Sequence, residues 1–192
     1  HEHYSYLSLI AVRRIFAANG LHVFDVQELP THGGSLRVFA QLSDVGARPE
    51  LASVTTMLAQ EASAGMLGAG FYDKFGLEPP RIVKSLLSFL IMQADTGGRV
   101  AAYGAAAKGN TLLNFAGVRP HLLPYVVDRN PAKQGKYMPG SRIPIVDEAH
   151  LRAHRPTHVL ILPWNLKTEI MSQLSYIREW GGQFVTAIPA LE

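Results

Sequence analysis

The residues best suited to chemistry in this chain fall in short clusters. Tyr103-Gly104-Ala105-Ala106-Ala107-Lys108-Gly109-Asn110 joins small residues, which let a backbone come close to a ligand, to a lysine. If this segment ends a strand and opens a helix, the helix-end amides and dipole favour a phosphate, and Lys108 adds a point charge. The spacing matches neither G-x-G-x-x-G nor a Walker A loop. Anion or nucleotide binding therefore stands beside a plainer alternative, close strand–helix packing. Asp128-Arg129-Asn130-Pro131 offers a carboxylate for a ribose or sugar hydroxyl, or simply good turn chemistry. The polar loop Lys133-Gln134-Gly135-Lys136 either extends that site or is solvated. Pro163-Trp164-Asn165 follows an apolar run; Asn165 could cap the next helix and Trp164 pack on it. His1-Glu2-His3 places a carboxylate beside an imidazole, whose ordinary pKa of about 6.5 suits a general base. Two histidines could also ligate a metal, but no third ligand is near, and a frayed terminus is the plain alternative. His32-Gly33-Gly34 reads as a hairpin connection.

These clusters need elements to position them. Leu7–Asn19 has apolar residues near helical spacing, and Asn19-Gly20 supplies a left-handed stop. His22–Leu29 and Ser35–Leu42 read as strands around the turn Thr31–Gly34. Glu50 to about Ala69 is helical, through Leu51, Val54, Met57, Leu58 and then Glu61. Pro79-Pro80 is expected to start a second helix, ended by Gly97-Gly98. We read residues 49–96 as a helical connection between residues 1–48 and residues 97–192. Beyond it, strands alternate with helices: Arg99–Tyr103, helix Asn110–Gly117, Tyr125–Asp128, Ile143–Val146, helix Asp147–His154 capped by Asp147, His158–Leu162, helix Asn165–Trp180, Gln183–Ala187. This rhythm argues for βαβ units and an α/β fold with a parallel sheet covered on both faces. The three polar clusters of residues 103–110, 128–136 and 163–165 then all sit at carboxyl ends of strands, where open α/β sheets bind ligands.

Composition bounds the reading. The 192 residues carry 18 Lys+Arg against 15 Asp+Glu, a net charge of +3, and 47% are hydrophobic. A packed core is available and disorder is excluded. The small, scattered charge excess gives no support to nucleic-acid binding. No apolar stretch approaches the roughly 20 residues that span a bilayer, so no membrane partner is expected. The absence of Cys excludes a disulfide framework, a Cys-ligated zinc site, an Fe–S cluster and a thiol nucleophile. The chain opens at His1 without Met or signal-like segment, and we expect it to be a cytoplasmic piece of a longer protein.

Taken in order, His1-Glu2-His3-Tyr4-Ser5-Tyr6, Leu29-Pro30-Thr31-His32-Gly33-Gly34-Ser35-Leu36-Arg37, Ala102–Asn110, Val127-Asp128-Arg129-Asn130-Pro131 with Lys133-Gln134-Gly135, Pro139-Gly140 with Ile143-Pro144, and Leu162-Pro163-Trp164-Asn165 resemble the carboxy-terminal part of the SAM-dependent sugar C-methyltransferases, which act on nucleotide-linked deoxysugars. The resemblance covers nearly the whole chain. It implies an amino-terminal zinc domain and a SAM-binding domain, both largely missing here, and a Rossmann-like carboxy-terminal substrate domain. Residues 1–48 are then the closing helix and two strands of the SAM domain.

The resemblance also implies the chemistry: deprotonation alpha to a sugar keto group, then methylation of the enolate from SAM. In such enzymes the Glu-His pair carries the base, which falls on Glu2 and His3. The nucleotide sugar would be held by Tyr103, Gly104, Ala105, Lys108, Asn110, Asp128, Lys133, Trp164 and Asn165, with His32; no metal site is expected in this piece. The aromatic residue that precedes the Glu-His pair in the family is absent, since position 1 is His. On this expectation the piece binds the nucleotide sugar and transfers no methyl group alone. The competing expectation is a non-catalytic nucleotide-binding or regulatory α/β module. A dinucleotide oxidoreductase is disfavoured by the missing G-x-G-x-x-G fingerprint.

Overall fold

The computed structural model describes residues 5–46 and 48–192 of the chain. Residues pack as two units, divided between Gly76 and Leu77.

In the first unit, α1 (Leu9–Ala18) precedes an antiparallel hairpin of β1 (Leu21–Leu29) and β2 (Ser35–Leu42), and α2 (Ala52–Ser63) follows. The hairpin register runs from Leu21 opposite Leu42 to Leu29 opposite Ser35, with a bulge between Val23 and Asp25. A short 3-10 turn, Thr31–Gly33, joins the strands. Leu9, Val23, Val26 and Val54 form the core, with Phe16, Val38, Met57 and Leu58 packed around them. Glu61, at an apolar spacing on α2, is buried for a reason its type explains. Its carboxylate accepts the Leu9 amide at 2.6 Å and the Ile10 amide at 2.8 Å, at the start of α1. Ser8 Oγ takes the Ala11 amide, so the open end of α1 is closed from two sides.

Helix α3 (Ala69–Asp95) spans the division between the units. Pro79 and Pro80 lie inside it and do not begin it. A proline cannot donate to the carbonyl four residues back, so Phe75 and Gly76 lose their helical partners in succession. The helix nonetheless carries on through both prolines to Asp95. The expected connection 49–96 does not pack upon itself: Val54 joins the core of the first unit, whereas Leu86, Phe89 and Leu90 join that of the second.

The second unit is a five-stranded sheet with every adjacent pair parallel: β3 (Val100–Tyr103), β4 (Val126–Val127), β5 (Ile145–Val146), β6 (His158–Ile161) and β7 (Gln183–Val185). Their spatial order is β5-β4-β3-β6-β7. The chain builds outward from β3 to β5, then returns to the other side of β3, so the order reverses between β3 and β6. Alternation divides the strands between two cores. Val100, Ala102, Val126, Ile145 and Leu160 face the layer holding the end of α3 and α4 (Ala107–Phe115). Ala101, Tyr103, Val127, Val159 and Ile161 face the layer of α5 (Glu148–His154) and α6 (Lys167–Gln173). Each fully buried Leu or Ile here contributes about 2 kcal/mol by removal from water. The α/β reading of the sequence holds, with the parallel sheet covered on both faces.

One local difference has a plain cause. The single helix expected over Asn165–Trp180 is three pieces: a 3-10 turn at Trp164–Leu166, α6, and a 3-10 segment at Ser175–Trp180. Ile170, Leu174 and Ile177 reach the core at spacings that suit either winding, and hydrophobic period does not separate the two. The connection from β4 to β5 is, as the sequence reading has it, a loop without a helix, pinned by an antiparallel bridge between Tyr137 and Pro144.

Candidate functional site

The carboxyl ends of β3, β4 and β6 form the crest of the sheet, and the polar clusters gather there. Gly104 leaves β3 with φ +91, where its amide donates to Val127 O at 2.7 Å. A Cβ on Gly104 would lie 2.5 Å from Pro163 Cδ, and one on Gly109 2.5 Å from Leu162 Cβ. The space that these glycines leave is filled by the chain's own β6 end. Close strand–helix packing therefore accounts for both glycines.

What remains open to a ligand is the start of α4. Ala106 caps it without a side-chain hydrogen bond, and the amides of Ala107 and Gly109 have no acceptor among the described residues. Such a helix end carries about half a positive charge. Lys108 lies in the first turn, half-buried. Its ammonium donates to Asn165 Oδ1 at 3.2 Å and stands 5.6 Å from the Trp164 ring centre. Asn165 does not cap α6. It sits in the 3-10 turn, α6 begins after Leu166, and the Asn165 side chain is turned to Lys108 instead.

Asp128 ties two of the crest loops together. Its Oδ2 accepts the Ala105 amide at 2.7 Å and the Lys133 ammonium at 3.2 Å, and its Oδ1 accepts the Asn130 amide at 2.8 Å. The residue is 9% exposed. Lys133 also donates to Ala105 O at 2.9 Å. An ammonium has three donors; the third meets no acceptor among the described residues and is directed by the other two. Gln134 Nε2 donates to Asp128 O at 2.9 Å, a support the sequence reading did not single out.

Asn110 lies on the first turn of α4, where its Oδ1 accepts Asn114 Nδ2 at 3.2 Å. Asn114 Nδ2 also donates to Pro139 O at 2.8 Å, and Gly140 presses against its side chain. The Pro139-Gly140 segment is thus docked on α4. Tyr103 behaves differently from its neighbours. Strand alternation sends its ring into the α5–α6 layer, where its hydroxyl donates to Glu148 Oε1 at 2.9 Å. Burial first, then the Glu148 carboxylate, raises the phenol well above its ordinary value, so it stays a neutral donor. Glu148 also pairs with Arg129 at 3.5 Å, a link that no spacing in the sequence suggested.

The structure therefore brings together Gly104, Ala105, Lys108, Asn110, Asp128, Lys133, Trp164 and Asn165 on one crest, with Tyr103 beneath. Glu2 and His3 lie outside the described residues. His32 belongs to the 3-10 turn of the first unit, and its side chain is outside the described ones. Among the described residues no group of three His, Cys, Asp or Glu could hold a metal ion. Among the described residues, no helix is long and apolar enough to cross a membrane.

Comparison with known proteins gives the family. The chain is 37% identical over 191 residues to the C-methyltransferase NovU of Streptomyces niveus, covering 98% of this chain and 45% of that protein. It thus spans a little under half the length of the curated relative it matches. Residues 30–189, including the whole crest, match the family described as C-methyltransferase C-terminal domain, and the chain belongs to that family.

Proposed function

We propose that the whole protein is a SAM-dependent C-methyltransferase acting on a nucleotide-linked keto-deoxysugar, and that the second unit of this chain holds the nucleotide end of that substrate. One observation carries the reading. At the point where the sheet order reverses, the unpaired amides of Ala107 and Gly109 converge with Lys108 and Lys133, in a chain of the C-methyltransferase family. This is the crevice in which open α/β sheets take ligands.

A diphosphate seated there receives the first-turn amides of α4 and the third donor of Lys133, with Lys108 alongside. The backbone of Gly104 and Ala105 borders the same space. Asp128 is a positioning residue: it fixes the Ala105 amide and aims Lys133. The half-buried Trp164 presents a ring face to a base or sugar, and Asn110 and Asn165 offer amide groups to hydroxyls. Tyr103 supports the crest from below by holding Glu148, and Arg129 with it. His32 is proposed as a sugar contact on the resemblance of its Thr-His-Gly-Gly segment alone.

In the whole protein, Glu2 orients and tunes His3, which takes the proton from the carbon alpha to the keto group and leaves an enolate. SAM supplies the methyl group that the enolate carbon accepts, and we assign its site to residues outside this chain. The Gly104–Gly109 segment does not serve as a SAM glycine loop, since Pro163 and Leu162 occupy the space at its glycines. A zinc ion does not fit the described residues either; we assign it to the same missing part. The setting we propose is the cytoplasm, with this chain inactive in methyl transfer on its own.

The test is calorimetric titration of the 192-residue chain, separately with dTDP and with SAM. The expected result is dTDP binding without SAM binding, and a roughly tenfold weaker affinity for dTDP in Lys133→Ala. SAM binding without dTDP binding overturns the assignment. In the full-length enzyme, Glu2→Gln and His3→Ala should abolish transfer of labelled methyl while leaving dTDP affinity unchanged. Full activity in both variants would mean a binding module without this base.

A further inference from the structure

At the opposite end of the sheet from the crest lies a cavity of about 670 Å³, lined entirely by residues of the second unit. Arg99 and Val100 enter it from the start of β3, Tyr125 and Pro144 from just ahead of β4 and β5, and His150 and His154 from α5. Its volume lies within the range of small-molecule pockets. Most of the wall is apolar, through Leu90, Ala94, Leu122, Val146 and Pro156. Among the described residues no carboxylate lines it: the charged or titratable groups are Arg99, Tyr125 and three histidines.

Tyr125 is the telling residue. The residue is 8% exposed and lines the cavity; its hydroxyl makes no hydrogen bond to another described residue and is not sealed off from solvent, so it is open to a ligand. Burial pushes this hydroxyl up to about 12, so it is a neutral donor at any ordinary pH, while the Arg99 charge acts on it in the opposite sense. Arg99 spends one guanidinium donor on Arg155 O at 3.0 Å, which holds it at the rim with other donors to spare. His150 and His154 stack at 3.8 Å and meet the Tyr125 ring edge-on, at 4.6 Å and 5.9 Å. His154 Nδ1 lies 2.9 Å from His150 O, which fixes that ring against the helix.

A phenol donor and a guanidinium that line the same cavity can together hold a carboxylate. Apolar walls with stacked flat rings recognise an aromatic body. We infer that this cavity at the amino edge of the sheet is a second ligand site, distinct from the crest, for a small aromatic carboxylate held by Tyr125 and Arg99. Nothing in the inference depends on what the crest binds.

The test follows backbone amide NMR signals of the 192-residue chain at pH 7.5 during titration with 2-naphthoate, with 2-naphthalenemethanol as neutral counterpart and acetate as an anion without a body. The expected result is perturbation around Arg99, Tyr125 and His150 with naphthoate. Its affinity should exceed that of either control at least about tenfold, the value of one charge-assisted contact. Tyr125→Phe keeps the ring and should weaken naphthoate roughly three- to tenfold, and Arg99→Gln about tenfold. Equal binding of the alcohol overturns the inference, as do unchanged affinity in both variants and perturbations confined to the crest near Lys108 and Lys133. Arg99 is exposed, so its variant decides the matter even if the Tyr125 variant folds poorly.

Discussion

Lys133 Nζ lies 3.2 Å from Asp128 Oδ2 and 2.9 Å from Ala105 O, while the same Asp128 oxygen receives the Ala105 amide at 2.7 Å. One carboxylate and one ammonium thus close a ring that joins the loop after β3 to the loop after β4. The pair is unequal: the Asp128 side chain is 12% exposed and that of Lys133 41%. Removing the two partners should therefore have different consequences.

Asp128→Ala leaves the Ala105 and Asn130 amides without their acceptor and should cost about 1–3 kcal/mol of stability per amide left unpaired, less whatever water restores. Lys133→Ala removes the half-exposed partner and should cost under about 1 kcal/mol. Thermal unfolding of the two variants checks the order. A larger loss for Lys133→Ala would mean that the ammonium, not the carboxylate, organises the crest.

The crest glycines separate packing from backbone freedom. Gly104→Ala meets Pro163 Cδ at 2.5 Å in a backbone of φ +91, and Gly109→Ala meets Leu162 Cβ at 2.5 Å. Each should destabilise by roughly 1–3 kcal/mol through overpacking. Gly76, within α3 and with nothing within 4 Å of an added Cβ, is the control. Gly76→Ala should stabilise by about 0.5–1 kcal/mol through helix propensity. Urea midpoints at constant m-value measure all three.

Much of this arrangement was legible in the sequence, and the illegible parts have physical reasons. Short apolar runs such as Val100–Tyr103 and His158–Ile161 stand out because a parallel strand is buried on both faces. The crest followed from placing the polar clusters at strand ends. The direction of Tyr103 lay within reach of the same reading, since alternation from Ala101 sends both to one face. The role of the glycines did not: small residues suit a ligand and a close neighbour equally, and only Pro163 and Leu162 decide between them. Asp128 read as a turn residue first and a ligand contact second because its Ala105 and Lys133 bonds are tertiary. Pro79-Pro80 misled because a proline pair suits a helix start on local grounds, whereas α3 runs through both prolines and buries only Leu86, Phe89 and Leu90 beyond them.

Glu61 offers a prediction for the first unit. Its two oxygens satisfy two amides that α1 cannot pair internally, and the carboxylate faces the positive end of the helix dipole. Glu61→Ala should cost about 3 kcal/mol, from two charge-assisted bonds lost at a buried site. Glu61→Gln keeps one acceptor and should cost roughly half as much. Hydrogen exchange at the Leu9 and Ile10 amides reads the effect directly; unchanged protection in Glu61→Ala would show that the carboxylate is not what holds these two amides.

Two histidines set the acid side of stability. Burial lowers the pKa of His150, helped by the neighbouring His154 charge and opposed by Asp147. Burial likewise lowers that of His158, opposed by its hydrogen bond with Gln183, where its ring stands edge-on to Phe89 at 5.3 Å. In the unfolded chain both titrate near about 6.5. Between that value and their lower folded values the unfolded state binds more protons, so stability falls as pH falls. The contribution is complete above about pH 6.5, declines below it, and levels off once the folded state also protonates. Melting temperatures at pH 7.5, 6.5 and 5.5 should therefore decrease in that order, before carboxylates titrate. His150→Gln with His158→Gln should flatten the profile over this window, and an equally steep profile in the double variant would assign the acid sensitivity to other groups.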